Sequence, residues 1–324
     1  MGAVSQMAMA TRRASAQTAW LGAVAASLCL AAAAQVAASM QEDAAPAPPQ
    51  PAHSRELVVL SFNVKSLPLH GDAERQRRIG RILAERRARG DEPDVVVLQE
   101  AFSSAADRIR ARAGYPYEII GEGEGSSLLL ANPSGLEILS NHPITAQYGR
   151  RFDDCAFPDC LVEKAVIGAT LRIEGLPLPL RIFTTHLQAN GENDKVRKNQ
   201  IDDIEIFLRR VGFGAEPAIF AGDVNFKPRH KSYWKFLHEL SFFTETGPFC
   251  LSSPSSCEIV VGQDGRTDLT DVWKTANDRQ YFYAPASSPL RIEPVRLIRN
   301  MTEQVGGERL SDHWGYEVRY RLTW

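Results

Sequence analysis

The sequence has no charge bias. Its 37 Lys and Arg nearly balance 39 Asp and Glu, giving a formal net charge of -2 and an isoelectric point near 6.4. No strongly basic footprint therefore announces nucleic acid. A long hydrophobic run is also missing. The most apolar stretch, Trp20–Ala34, is shorter than the ~20 residues that a bilayer crossing needs. Hydrophobic residues make up 44% and charged residues 23% of the chain. Those fractions exclude a mostly disordered chain, a collagen-like chain and a multispan membrane protein. Cysteine is scarce, at five in 324 residues.

The averages hide an uneven N-terminus. Residues 1–40 carry Arg12 and Arg13, no acid, and the apolar stretch Trp20–Ala34, with small residues after it. A basic start, an apolar core and small residues at the end describe a secretory signal peptide, with cleavage after Ala34 or Ala38. The chain is thus expected to be exported, to the periplasm or the medium. Residues 41–54 are rich in Pro and Ala and read as a tether. Residues 55–324 show no second linker and no repeat, so they read as one domain.

Removing residues 1–40 takes away Cys29 and leaves Cys155, Cys160, Cys250 and Cys257. An even count in an exported protein points to disulfides. Three pairings exist. The local ones, Cys155–Cys160 and Cys250–Cys257, are favoured because each brackets a short turn-like segment.

Short apolar runs recur at Leu57–Phe62, Val95–Leu98, Ser127–Ala131, Leu136–Leu139, Ala165–Ile173, Leu180–Thr184, Ala218–Ala221 and Trp314–Leu322, and read as strands. Helical spacing marks residues 73–89, Val196–Val211 and Tyr233–Leu240. Helices outside packed sheets are the expected arrangement.

Polar residues end several of these strands. LVVLSF runs into Asn63, VVVL into Gln99-Glu100, RIFTT into His186, and AIFA into Gly222-Asp223-Val224-Asn225; Ser311-Asp312-His313 precedes the last strand. Rigid strand ends suit the oxygen ligands of a hard divalent cation and a base that takes a proton from water. Each group alone reads as a turn, a cap or a loop. Their joint order carries the signal.

In that order, Asn63, Gln99-Glu100, Thr185-His186-Leu187-Gln188, Gly222-Asp223-Val224-Asn225 and Ser311-Asp312-His313 resemble the endonuclease/exonuclease/phosphatase superfamily, across essentially all of 55–324. The resemblance implies a deoxyribonuclease I-like α/β fold: a four-layer α-β-β-α sandwich of two mixed, mainly antiparallel sheets with the metal at the strand ends. Three stretches look most like secreted bacterial neutral sphingomyelinases: Ser134–Ile144, Glu163-Lys164-Ala165-Val166, and THLQA at 185–189 followed by Arg197 and Gln200.

Carried over residue by residue, the resemblance makes Glu100 the principal Mg²⁺ ligand, with Asn63 supporting it and Mn²⁺ or Co²⁺ as substitutes. His313 becomes the general base, near its ordinary pKa and paired to an acid such as Asp223. Asp312 stands beside the metal or the water. Asn225 and His186 contact the phosphate, and Lys164 adds positive charge. Where the family shows an acid in an Arg-x-Asp-Tyr-Ile-like strand, Arg291-Ile292-Glu293-Pro294-Val295 is the nearest match. Where relatives place an acid before Gly-Gly, this chain has Asn132-Pro133-Ser134.

The implied activity is phosphodiester hydrolysis, of sphingomyelin to ceramide and phosphocholine. Its substrate is a phospholipid or membrane surface, and no obligate protein partner is implied. Tyr281-Phe282-Tyr283 is the candidate membrane contact, because aromatic rings suit headgroup interfaces. The alternative is a secreted deoxyribonuclease I-like endonuclease, with Arg75, Arg77, Arg78 and Arg81 as a patch for nucleic acid. A third reading is an inactive binding module on the same scaffold.

Overall fold

The computed structural model describes residues 53–67, 72–121, 132–260 and 273–324. The expected signal peptide, residues 41–52 of the expected tether and the expected strand Ser127–Ala131 lie outside them. In chain order the elements are β1 (Ser54–Ser66), α1 (Ala73–Arg89), β2 (Val95–Ala101), α2 (Asp107–Ala113), β3 (Tyr117–Ile120), β4 (Glu137–Ser140) and β5 (Ile144–Arg151). Then come β6 (Ala165–Leu171), β7 (Leu180–His186), α3 (Asp194–Arg210), β8 (Ala218–Asp223), α4 (Lys231–Glu239), β9 (Thr244–Glu245) and α5 (Thr246–Ser252). The rest are β10 (Glu258–Val260), β11 (Asp278–Tyr283), β12 (Arg291–Asn300), the small hairpin β13 (Gln304–Val305) and β14 (Glu308–Arg309), and β15 (Gly315–Thr323).

One sheet runs β10-β12-β15-β1-β2-β4-β3 and the other β5-β6-β7-β8-β11-β9. Both are mixed: β1 pairs parallel to β2 and β7 parallel to β8, while β1–β15, β6–β7 and β8–β11 are antiparallel. This is the α/β sandwich of two sheets that the sequence motifs implied.

Side-chain alternation explains why the sheets stack. Successive residues of a strand face opposite ways, and both faces of the central strands are apolar. In β1, Leu57 and Val59 enter the core between the sheets, while Leu60 and Phe62 enter a second core. Ile79 and Leu83 of α1 and Ile109 of α2 fill that second core from outside. In β8, Ile219 and Ala221 face the first core, whereas Phe220 meets Ile201, Ile204 and Phe207 of α3 and Phe236 of α4 in a third. Three cores hold four layers together.

The helices start and stop where the chemistry dictates. Asp72 accepts bonds from the backbone N–H groups of Glu74 and Arg75, which caps α1. Gly90 ends it in the left-handed conformation (φ 71°). Pro294 sits in β12 at a register shift, beyond the Arg296–Ile298 segment that pairs with β10. At that place its missing N–H interrupts no ladder to β10. The two disulfides are the local ones, Cys155–Cys160 and Cys250–Cys257.

Candidate active site

The inward-facing positions of the central strands turn from apolar to polar at one end of the sandwich. After Leu57 and Val59, β1 presents Ser61 and Asn63; after Ile219 and Ala221, β8 presents Asp223; after Leu180 and Ile182, β7 presents Thr184 and His186. Beneath the site, Gln99 Nε2 donates to Thr184 Oγ1 (3.1 Å), and Gln280 Nε2 donates to the carbonyls of Val59 and Tyr316 (3.0 and 2.8 Å). This polar layer ties the two sheets together under these side chains.

Glu100 follows in a left-handed backbone conformation (φ 57°), which a non-glycine residue adopts only at a cost. Its carboxylate accepts from Asn63 Nδ2 at 2.9 Å. The same amide donates to Asp223 Oδ2 at 3.1 Å. Asn63 thus orients two carboxylates, with its Nδ2 rather than its oxygen turned to them. Close strand approach is needed here: a Cβ on Gly222 would lie 2.3 Å from the Thr185 carbonyl oxygen.

His186 Nε2 lies 3.5 Å from Asp223 Oδ2 and 3.8 Å from Glu100 Oε1. Burial, with Lys164 and His313 nearby, pushes the His186 pKa well below its ordinary value, so the ring is neutral. Its Nδ1 is buried without a partner among the described residues. Asn225, also left-handed (φ 50°), donates from Nδ2 to the Leu187 carbonyl and accepts from Asn277 Nδ2. Lys164 is buried, 3.2 Å from Asp159, and burial pulls its pKa down, against the carboxylates of Asp159, Asp223 and Glu100.

His313 corrects an expectation. Its Nδ1 pairs with Asp278 Oδ2 at 2.8 Å, while Asp223 Oδ2 lies 3.6 Å from Nε2. The partner is thus Asp278, opposite Asp223 in the β8–β11 register, and not Asp223. Nor is it in the 291–295 segment, which forms part of β12 in the other sheet. The acids around His313 also move its pKa away from the ordinary value. Burial would lower it, but Asp278 and then Asp223 outweigh burial and raise it to about 10. Asp312 stands half exposed, its Oδ2 2.8 Å from Lys65 Nζ. Burial would raise its pKa, yet Lys65 and His313 hold it below the usual range.

The membrane-contact expectation for Tyr281-Phe282-Tyr283 is overturned. Tyr281 is fully buried and Phe282 nearly so; Tyr281 packs under α4, and Tyr283 lies against Phe213 and Phe243. An aromatic run on a central strand faces both cores at once. The run did carry a signal, because the acid that opens this strand, Asp278, is the one the sequence reading missed.

Of the four arginines in the expected patch, Arg81 is exposed and the other three are paired with acids. Arg75 pairs with Asp72 and Glu308, Arg77 with Glu74, and Arg78 with Glu85 and Glu303. Beside His313 lies a pocket of about 230 Å³ lined by Asn277, Asp278, Arg299, Trp314 and Tyr316 among others. The guanidinium groups of Arg299 and Arg309 lie 4.3 and 3.9 Å from the Trp314 ring centre. Arg309 also donates to the carbonyls of Asp312 and His313, which fixes that turn.

Two groups of side chains gather ligand atoms within 4.8 Å of one another: Glu100, His186 and Asp223, and Asp223, Asp278 and His313. The first suits a hard cation better, because Nδ1 of His313 is already committed to Asp278. Burial lifts the Asp223 pKa to about 6 despite His313 and Asn63. A carboxylate that burial penalises in this way fits a divalent ion.

Residues 60–313 match the Endonuclease/Exonuclease/phosphatase family. The chain belongs to that family. Its members are hydrolases acting on phosphodiester bonds. No curated protein matches the chain. Among solved structures it is similar to sphingomyelinase C from Streptomyces griseocarneus, at 21% identity and TM-score 0.58, covering 82% of this chain and 99% of that one. A double mutant of beta toxin from Staphylococcus aureus with bound magnesium ions has 18% identity, TM-score 0.57, and 82% and 99% coverage. D. rerio TDP2 complexed with single-strand DNA product has 18% identity, TM-score 0.59, and 82% and 98% coverage. At these identities the likeness shows the fold.

Proposed function

We propose that this family member is an exported Mg²⁺-dependent phosphodiesterase that hydrolyses sphingomyelin to ceramide and phosphocholine. The carrying observation is the convergence of Glu100, His186 and Asp223 beside the His313–Asp278 pair. Such a set has the parts that phosphodiester hydrolysis requires, which also argues against an inactive binding module. Glu100 and Asp223 would hold the ion, with Asn63 orienting both. When bound, Mg²⁺ supplies positive charge and a Lewis acid for the phosphoryl oxygen.

The chain's own groups do the rest. Asp278 accepts from Nδ1–H of His313 and so presents Nε2 to the site. A cation held at Asp223 would offset that carboxylate's pull on His313, and Nε2 would then take a proton from the attacking water. Neutral His186 and the Asn225 amide are placed to contact the phosphate oxygens. Lys164 adds positive charge from beneath, and Asp312 fixes Lys65 at the rim. The two disulfides support export, because such bonds persist in oxidising compartments.

The pairing of Arg75, Arg77 and Arg78 with acids disfavours duplex DNA, whose binding draws on free cations. One observation favours the second reading, a nuclease: the pocket beside His313 is lined by the Trp314 and Tyr316 rings, on which a nucleotide base would stack beside the scissile phosphate. Full-length protein offered sphingomyelin, phosphatidylcholine and plasmid DNA, each with Mg²⁺ or EDTA, separates the readings. Mg²⁺-dependent phosphocholine release from sphingomyelin is expected. Rapid DNA nicking without phosphocholine release would overturn the lipid assignment.

A further inference from the structure

Resting on a lipid substrate, we propose that the disulfide-closed loop 155–161 docks the protein on a zwitterionic lipid surface through Phe157 and Leu161. Large hydrophobic side chains exposed by more than half are rare among the described residues: Phe157 at 78%, Leu161 at 70% and Trp234 at 62%. Two of the three share this loop, with Pro158 and the Cys155–Cys160 disulfide exposed between them.

The loop holds one charged residue, Asp159, and turns it inward. Asp159 Oδ2 accepts from the Ala189 backbone N–H at 2.8 Å and pairs with Lys164 Nζ at 3.2 Å. The outward groups are therefore uncharged. Of the charges flanking the loop, Arg150 pairs with Asp153 and Arg151 with Glu163, each at 3.0 Å, and Asp154 takes the Asn199 amide. A rim without surplus cations gives no pull towards anionic lipid, whose recognition needs clustered Lys and Arg, so the surface it fits is zwitterionic. Two apolar side chains and a proline are also too little for a protein partner, which buries ~800 Å² per side. A lipid interface, in contrast, accepts apolar side chains one at a time.

The loop is fixed to the active centre. Gln188 grips Ala156 twice, accepting from its N–H at 2.8 Å and donating to its carbonyl at 3.2 Å. Gln188 and Ala189 follow directly on the β7 end that carries His186. A lipid held by Phe157 and Leu161 is thus brought to the same strand ends as Glu100, His186 and Asp223.

The test is co-sedimentation of the full chain with sphingomyelin/phosphatidylcholine vesicles in EDTA, so that binding is read without turnover. A Phe157→Asp/Leu161→Asp variant should lose roughly tenfold or more in vesicle partitioning, with unchanged thermal melting. A milder Phe157→Ser/Leu161→Ser variant should fall in the same direction. Wild-type protein that ignores the vesicles, variants that bind as wild type does, or binding that requires anionic lipid would overturn the proposal. If the loop variants lose binding while wild-type protein hydrolyses no sphingomyelin, docking stands and the substrate assignment falls.

Discussion

Asp278→Asn changes one atom of a buried pair and separates two effects. The substitution keeps side-chain volume and removes the charge 2.8 Å from His313 Nδ1. His313 is 17% exposed and its pKa stands at about 10 rather than 6.5. At ~1.4 kcal/mol per unit, that is on the order of 5 kcal/mol at most, spread over Asp278 and Asp223. Because the folded value is raised, this stabilisation is fully present below the unfolded value of ~6.5 and is lost as pH rises through about 10. Metal-free Asp278→Asn protein should therefore melt well below wild type near pH 6, and the gap should close above pH 10. Turnover should fall ~10²–10⁴-fold, as loss of an oriented base requires. Mg²⁺ affinity should stay within a few-fold, since Asp278 is outside the Glu100 group. Melting curves against pH, a turnover assay and metal titration read all three. Turnover close to wild type, or a melting gap that does not depend on pH, would refute the pairing.

Glu100→Gln should weaken Mg²⁺ binding at least tenfold in a calorimetric titration; unchanged affinity would remove Glu100 from the ion's ligands. Gly222→Ala forces a Cβ against the Thr185 carbonyl oxygen and should destabilise the fold by about 1–3 kcal/mol, read by urea unfolding; an unchanged midpoint contradicts the close strand approach. Mild reductant should open Cys155–Cys160, whose residues are exposed, before Cys250–Cys257, both buried. Alkylation mapped by mass spectrometry checks the order, and simultaneous opening would count against it.

Much of the fold was legible because short apolar runs such as Leu57–Phe62 and Ala218–Ala221 are a local signal. Glu100, His186, Asp223 and His313 were legible for a related reason: each sits where an apolar run turns polar or beside a short motif. Asp278 was not. It opens a strand whose aromatic residues look like a surface when read alone, and only pairing with β8 brings it opposite Asp223. The same blindness to tertiary packing made Tyr281 and Phe282 read as exposed. Lys164 likewise needed the third dimension, since its partner Asp159 comes from a loop that the disulfide folds back. The ion pairs that neutralise Arg75 and Arg78 include Glu303 and Glu308, which are too distant in sequence to be read from it.

The most direct measurement is hydrolysis of sphingomyelin in ¹⁸O-water with Mg²⁺, by wild-type protein and by His313→Ala. Attack of a His313-activated water on phosphorus places ¹⁸O in phosphocholine and none in ceramide, at a rate that EDTA and His313→Ala each reduce by orders of magnitude. Label in ceramide, or full turnover without His313 or without metal, would contradict it.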